Sequence, residues 1–339
     1  MLFRSLASSE EDPSSLLGNT FIQNGSQEII EEFAKNSDVV TYESENTAVS
    51  IVKEISQKTM VYPSVNSLYT SQHRGREKSL FDKLNIPCAP YQMVNNFSEL
   101  KIAVENIGLP AILKTATDGY DGKGQFLIQS DSQLDQAWKS MSGVESILEG
   151  FVSFKRELSL VAVRGVDNSH EYYPLVENSH HNGILRLTIA PAQNISLKLQ
   201  QQAETYMRSL LDEMNHVGVL TIELFETDSN LVVNEMAPRV HNSGHWTIEG
   251  ARTSQFENHI RAITETSLGD TSCTHEYSAM INIIGEQGPI DKALTLKNAH
   301  LHLYNKTERK GRKLGHITIT ANTLDDLNTS LETLSDFMP

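Results

Sequence analysis

Between Glu223 and His245 the chain reads ELFETDSNLVVNEMAPRVHNSGH, in which Glu223 and Glu235 are followed by Arg239, His241, Asn242 and His245. Val219, Thr221, Glu223 and Phe225 share one face of a strand by two-residue periodicity, and Leu220, Ile222 and Leu224 share the other. Asp228, Ser229 and Asn230 supply a hairpin turn. With those three residues in the loop, Glu223 lies opposite Glu235, and like charges facing each other on a sheet repel. A cation between them removes the penalty, and a site of few oxygen ligands completed by substrate phosphates suits magnesium better than zinc or calcium. Two solvated carboxylates on an exposed sheet face explain this hairpin equally well. Arg239, His241 and Asn242 follow Pro238, which fixes the local backbone, and are placed to grip a small planar anion beside the metal.

Other segments carry weaker signals. TDGYDGKGQ sets Gly119, Gly122 and Gly124 between two strands, with Lys114 on the incoming strand and Lys123 in the loop. Glycine lets a backbone approach phosphate oxygens closely, and exposed amides with lysine charge complete an anion cradle. The spacing is neither that of a P-loop nor that of a dinucleotide fingerprint, and Asp-Gly is equally a turn signal. Glu149 ends an apolar strand where backbone groups could meet an adenine ring, and Glu157 could accept from ribose hydroxyls; each alone reads as a solvated charge. His180 and His181 precede an Asn-Gly turn and read as surface residues, without a third ligand at zinc spacing. Lys306, Arg309, Lys310, Arg312 and Lys313 form an abrupt basic cluster, suited to a phosphate-bearing substrate or to a solubilising loop.

The elements that must position these residues follow from the pattern. At 339 residues the chain has room for two or three domains. The fold class is α/β, α+β overall: a parallel-sheet domain at 1–88, a small central lobe at 89–150, and a larger β-rich lobe at 151–339 ending in a small sandwich from about 276. A strand at 38–46 places Glu43 and Glu45 at a carboxyl end, where parallel sheets bind ligands. A helix spans 67–83, and Pro87 and Pro90 mark a linker. With 39% hydrophobic residues and mean hydropathy −0.33, the chain reads as globular. It has no apolar run near the 18 or so residues of a membrane span and no secretory signal, which predicts a cytoplasmic protein. Two cysteines far apart, Cys88 and Cys273, read as reduced thiols. A net charge of −15 argues against a nucleic-acid partner and leaves room for an anionic small molecule where basic residues gather.

Taken together, LKTATDGYDGKGQ, the glutamates of LEGFVSFKRE, SHHNGILR, NEMAPRVHNSGHW and KGRKLGH resemble, in this order, N5-carboxyaminoimidazole ribonucleotide synthetase, the ATP-grasp carboxylase family of purine biosynthesis. The resemblance runs from about Asp38 to the end. It implies a three-domain ATP-grasp ligase that uses ATP, magnesium and bicarbonate to carboxylate the amine of 5-aminoimidazole ribonucleotide, as a homodimer. It places Arg74, Lys114, the loop Gly119, Tyr120, Asp121, Gly122, Lys123, Gly124 and Gln125, together with Glu149, Glu157 and His180, on ATP. Glu223 and Glu235 hold magnesium, with Asn234 beside the phosphates. Arg239, His241 and Asn242 position bicarbonate and the carboxyphosphate made from it. Tyr120 and Asp121 face the imidazole nucleotide, Asp121 as the base for its amine, and Lys306, Arg312 and Lys313 bind its 5′-phosphate; Glu43 and Glu45, at their strand end, are expected to bind substrate as well.

The resemblance has one gap. Members of the family open with a strand and a GGGQLG turn that the residues around LFRSL do not show, which predicts apolar strand edges, a loosely packed first domain and poorly held Glu43 and Glu45. Two other readings share the same residues: a ligase of this superfamily acting on another amine or acid, and a nucleotide-binding protein without turnover.

Overall fold

Helix and strand alternate through the first domain as the pattern requires, but the parallel sheet is split. The computed structural model describes residues 3–117, 119, 124–228 and 230–338. Strand β1 (Arg4–Ala7) pairs in parallel with β2 (Asn19–Ile22), and after helix α1 (Gln27–Lys35) a second parallel pair forms between β3 (Val39–Val40) and β4 (Met60–Val61), linked by α2 (Val49–Ser56). Ile30, Phe33 and Ala34 of α1 pack against Ile55 of α2, with Leu6, Phe21 and Val40 around them. Among the described residues the two pairs share no hydrogen bonds, and a cavity of about 670 Å³ lies between them, lined by Leu6, Ala7, Val40 and Tyr42. The strand expected over 38–46 shrinks to two residues because the chain turns at Ser44, whose carbonyl accepts the Thr47 N–H.

The single helix expected over 67–83 is two, α3 (Val65–Ser71) and α4 (Arg74–Lys83). His73 between them is extended, with φ −139°, and its ring Nδ1 accepts the N–H groups of Gly75 and Arg76, capping α4. The central lobe follows as β5 (Tyr91–Val94), α5 (Phe97–Ile107), β6 (Ala111–Thr115), β7 (Gln125–Ile128), α6 (Leu134–Ser140) and β8 (Ser146–Gly150). Its four strands form an antiparallel sheet in the order β5-β8-β6-β7, over a core that includes Val94, Leu100, Leu113, Ile128 and Leu148.

The large lobe contains β9 (Arg156–Arg164), β10 (His170–Tyr172), β11 (Val176–His181), β12 (Ile184–Ala190), α7 (Leu197–Glu213), β13 (Gly218–Glu226) and β14 (Leu231–Ala237). After these come α8 (Thr247–Gly250), α9 (Gln255–Ile263), β15 (Tyr277–Ile284), α10 (Ile290–Thr295), β16 (Ala299–Leu303), β17 (Lys313–Ala321) and α11 (Leu324–Thr333). One nine-stranded sheet runs β14-β13-β9-β11-β12-β15-β17-β16, with β10 on β9. The expected terminal sandwich is therefore absent from the described residues: β15 pairs with β12, and Leu187 and Ile189 of β12 join Ile281, Ile317 and Ile319 in one core. Alternation divides the faces of β9 and β13. Leu158, Leu160, Leu220 and Ile222 pack on Met207 and Leu210 of α7, and Val161, Val163 and Val219 pack with Trp246 and Ile263 on the other side.

Candidate active site

Glu223 and Glu235 are register partners across β13 and β14. The pairing is reached differently from the sequence arithmetic. Beyond Glu223 the register shifts, Leu224 pairs with Val233, and Asn234 is the extra residue of a bulge. In an unbroken strand Asn234 and Glu235 would point to opposite faces; here both open onto one cavity of about 500 Å³. That cavity is also lined by Glu45, Arg74, Lys114, Gly119, Gln125, Glu157, His180, Glu223, Arg239, His241, Asn242 and Lys313. Phe154 and Phe225, stacked with ring centroids 4.6 Å apart, give it an apolar wall with Ile112 and Leu185.

The two carboxylates differ in their surroundings. Burial and the nearby Glu235 charge push the Glu223 carboxyl up. Burial acts on Glu235 in the same direction but is overridden by Arg74, whose Nη1 lies 3.0 Å from Oε2, so that carboxyl is held down. Facing carboxylates with Asn234 beside them form an oxygen donor set that fits a small hard cation completed by phosphate oxygens. His241 donates or accepts at Nδ1 with Ser243 Oγ at 2.8 Å, and its Nε2 lies 3.7 Å from Glu223 Oε1. Burial, with Arg239 and Lys313 nearby, pushes its imidazole down to about 3, so it is neutral at physiological pH. Asn242 is fixed by a reciprocal amide pair: its Nδ2 donates to Asn282 Oδ1 at 3.0 Å and its Oδ1 accepts from Asn282 Nδ2 at 2.7 Å.

Arg239 does not present a free fork. It makes a two-point ion pair with Glu45, through Nε to Oε2 and through Nη2 to Oε1 at 2.7 Å. Glu45 is thus firmly held, contrary to the expectation, because the large lobe supplies a cation and Gln72 Nε2 donates to the Glu45 carbonyl at 2.6 Å. Glu43 is exposed, lines the cavity between the split sheets and takes no part in this one. Lys114 Nζ donates to Glu149 Oε2 at 2.9 Å behind the cavity wall; burial pushes the amine down while Glu149 acts the other way. His180 Nδ1 lies 2.6 Å from Glu157 Oε2, a contact without hydrogen-bond alignment. Burial would lower this imidazole, but Glu157 and Glu223 raise it.

The basic cluster splits. Lys313 reaches the cavity, whereas Lys306 is exposed with Nζ 5.4 Å from the Tyr304 ring, and Arg312 Nη1 donates to Thr307 Oγ1 at 2.8 Å. Gly124 has φ +68°, a left-handed conformation that suits glycine. Tyr120, Asp121, Gly122 and Lys123 lie outside the described residues.

Sequence reasoning misses three participants. Glu77 and Lys78 are 2% and 0% exposed, and the only hint is their placement three and four residues after Arg74 in a helix, RGREKSLFDK, whose large apolar side chains are only Leu80 and Phe81. Tyr304 bridges His316 Nδ1 at 2.7 Å and His245 Nδ1 at 3.1 Å beside Asn242, a link between distant segments that no local pattern announces.

A β-rich lobe and a small antiparallel lobe closing on a carboxylate and lysine cavity define an ATP-grasp enzyme, and the ATP-grasp domain model matches residues 79–256. The phosphoribosylaminoimidazole carboxylase C-terminal domain model matches 278–330, and the chain belongs to the N5-carboxyaminoimidazole ribonucleotide synthase family of ATP-grasp ligases. The synthase of Pseudomonas aeruginosa is 45% identical over 295 residues, covering 87% of this chain and 81% of that one. The crystal structure of the synthetase from Thermus thermophilus superposes with a TM-score of 0.94 at 42% identity, over 99% of this chain and 92% of that one. The Aspergillus clavatus synthase in complex with ADP and 5-aminoimidazole ribonucleotide superposes with a TM-score of 0.87 at 29% identity, over 98% and 97%.

Proposed function

We propose that the chain uses ATP and bicarbonate to carboxylate the exocyclic amine of 5-aminoimidazole ribonucleotide, giving N5-carboxyaminoimidazole ribonucleotide, ADP and phosphate in purine biosynthesis. The observation that carries this reading is the gathering of Glu223, Asn234, Glu235, Arg239, His241 and Asn242 in one cavity with Lys114 and Lys313 at its walls. The family match supports the chemistry.

A bicarbonate oxygen attacks the γ-phosphorus of ATP, ADP leaves, and the carbonyl carbon of the resulting carboxyphosphate takes the amine nitrogen while phosphate departs and the amine loses a proton. Arg74, Lys114, Glu149, Glu157, His180 and the loop from Gly119 to Gln125 bind ATP in this scheme. Glu223 and Glu235 hold magnesium, with Asn234 beside the phosphates. Magnesium, when bound, supplies positive charge against the phosphoryl oxygens. Lys114 adds a second positive charge once it leaves Glu149 for the nucleotide. Neutral His241, the amide of Asn242 and Arg239 orient bicarbonate; Arg239 does so with a guanidinium whose position Glu45 sets. Asp121 takes the amine proton, Tyr120 faces the imidazole, and Lys313, Lys306 and Arg312 meet the 5′-phosphate.

The same reading makes the protein a cytoplasmic homodimer; no helix among the described residues is long and apolar enough to cross a membrane. ADP release from ATP decides the matter, measured with and without bicarbonate and with and without 5-aminoimidazole ribonucleotide. Release that needs both supports the reading. Release that ignores the imidazole nucleotide while depending on another amine or acid overturns it in favour of a different ligase.

A further inference from the structure

We infer that Glu77 and Lys78 of α4 are positioning residues that hold the β14 bulge and so aim Asn234 and Glu235 at the nucleotide phosphates. This rests on the reading of Glu223 and Glu235 as the metal ligands. Strand β14 is the outermost strand of the nine-stranded sheet, and among the described residues its outer edge meets no further strand, only an isolated bridge between Val233 and Cys88. Three main-chain groups along it find partners in the segment from α4 to Pro87. Lys78 Nζ donates to the Asn234 carbonyl at 2.7 Å, Glu77 Oε1 accepts the Met236 N–H at 2.6 Å, and the Pro87 carbonyl accepts the Val233 N–H at 2.8 Å. Arg74, one turn earlier on the helix, holds the Glu235 side chain itself at 3.0 Å. One helix face therefore grips the carbonyl before Glu235, its carboxylate, and the amide after it.

The arrangement answers a specific hazard. A bulge in an edge strand disrupts the ladder locally, and a slip of one residue exchanges the faces on which side chains lie. Here such a slip would carry Glu235 away from Glu223. Glu77 and Lys78 are fully desolvated, which is expensive for side chains that only fill space. Both bonds go to the main chain on either side of one residue, and Lys78 also stands 3.6 Å from Glu149 of the central lobe, which joins the helix to both grasp lobes.

The test compares Glu77→Ala, Glu77→Gln, Lys78→Met and Glu235→Gln by calorimetric binding of ADP with and without magnesium, alongside kcat and the KM values. Glu77→Ala is expected to cut the magnesium-dependent gain in ADP affinity, and kcat, by about tenfold or more, as losses behind metal ligands do, with the KM for 5-aminoimidazole ribonucleotide little changed. Glu77→Gln keeps an oxygen that can accept the Met236 N–H and is expected to recover most of the loss. A Glu77→Ala protein that melts cooperatively yet keeps the parent's magnesium gain, while Glu235→Gln loses it, overturns the inference. Equal loss in Glu77→Gln overturns the hydrogen-bond role. If Glu235→Gln also keeps the gain, the metal reading fails instead. Lys78→Met decides the question where Glu77→Ala does not fold: a folded Lys78→Met protein with the full magnesium gain overturns the inference, and a reduced gain supports it.

Discussion

Glu223 and Glu235 face each other across two strands, yet the next pair along is Leu224 with Val233, so the residue between, Asn234, turns to the same cavity as Glu235. Two consecutive side chains on one side of a strand require a bulge, and with this one three oxygen-bearing side chains, of Glu223, Asn234 and Glu235, line one cavity. The repulsion within the pair is held in check on one side by Arg74.

If these carboxylates hold magnesium, Glu235→Gln removes a charge that the transferred phosphoryl group depends on. Turnover is expected to fall by at least about 100-fold, the effect of losing a few kcal/mol in the transition state, while the fold persists. Circular dichroism and ADP release measure the two halves. Near-normal turnover in a folded variant removes these carboxylates from the mechanism.

How much of this is legible in the sequence follows from particular residues. The two-residue alternation of 219–225 fixes the faces of β13, and a three-residue loop count sets Glu223 opposite Glu235, which is the pairing found. The route differs: the turn carries four residues, with the Thr227 N–H bonded to the Asn230 carbonyl, and the bulge at Asn234 restores the register. A bulge held by a helix more than 150 residues away leaves no local trace. For the same reason the helical pattern of 67–83 gives no sign that Glu77 and Lys78 are buried: their partners are main-chain groups of β14. The expectation of a terminal sandwich fails because alternation shows that a strand has two faces but not which sheet it joins. The ion pair of Glu45 with Arg239 is illegible too, since two residues each expected at a ligand instead meet each other.

That ion pair ties the first domain to the large lobe, with side chains only 30% and 21% exposed. A double-mutant cycle of Glu45→Gln and Arg239→Met, followed by urea unfolding, is expected to give a coupling energy of about 1 kcal/mol or more, as for other partly buried pairs in contact. Additive effects would show that the contact contributes nothing to holding the domains together. Bicarbonate KM read on the same variants separates the two contributions: Arg239→Met, which removes the guanidinium, should raise it most, and Glu45→Gln, which only loosens the hold on that guanidinium, should raise it less.

The split basic cluster orders three substitutions. Lys313→Ala, at the cavity wall, is expected to raise the KM for 5-aminoimidazole ribonucleotide most, with Lys306→Ala and Arg312→Ala each raising it by roughly tenfold, the value of one charge-assisted phosphate contact. The ATP KM should move little. An equal rise for both substrates would point to a folding defect and sink the assignment.

The last prediction concerns pH. Burial and the Glu235 charge raise the Glu223 carboxyl above its ordinary value of 4.5 in the folded protein. The folded state therefore keeps this proton after the unfolded chain has lost it. The resulting stability is fully present below the ordinary carboxylate range and disappears as pH rises through the folded value. Metal-free protein should thus lose melting temperature across that interval more steeply than Glu223→Gln, which has no proton to lose. Glu77, pushed up to about 8 by burial, has the same sign but is common to both proteins and cancels in the comparison. Magnesium with ADP needs the ionised pair, so its binding near the raised value should release a proton from the parent and fewer from the variant, read by calorimetry in buffers of different ionisation enthalpy. Identical pH slopes and identical proton release in the two proteins would show that Glu223 carries no raised carboxyl and that the pair is not held in check as described.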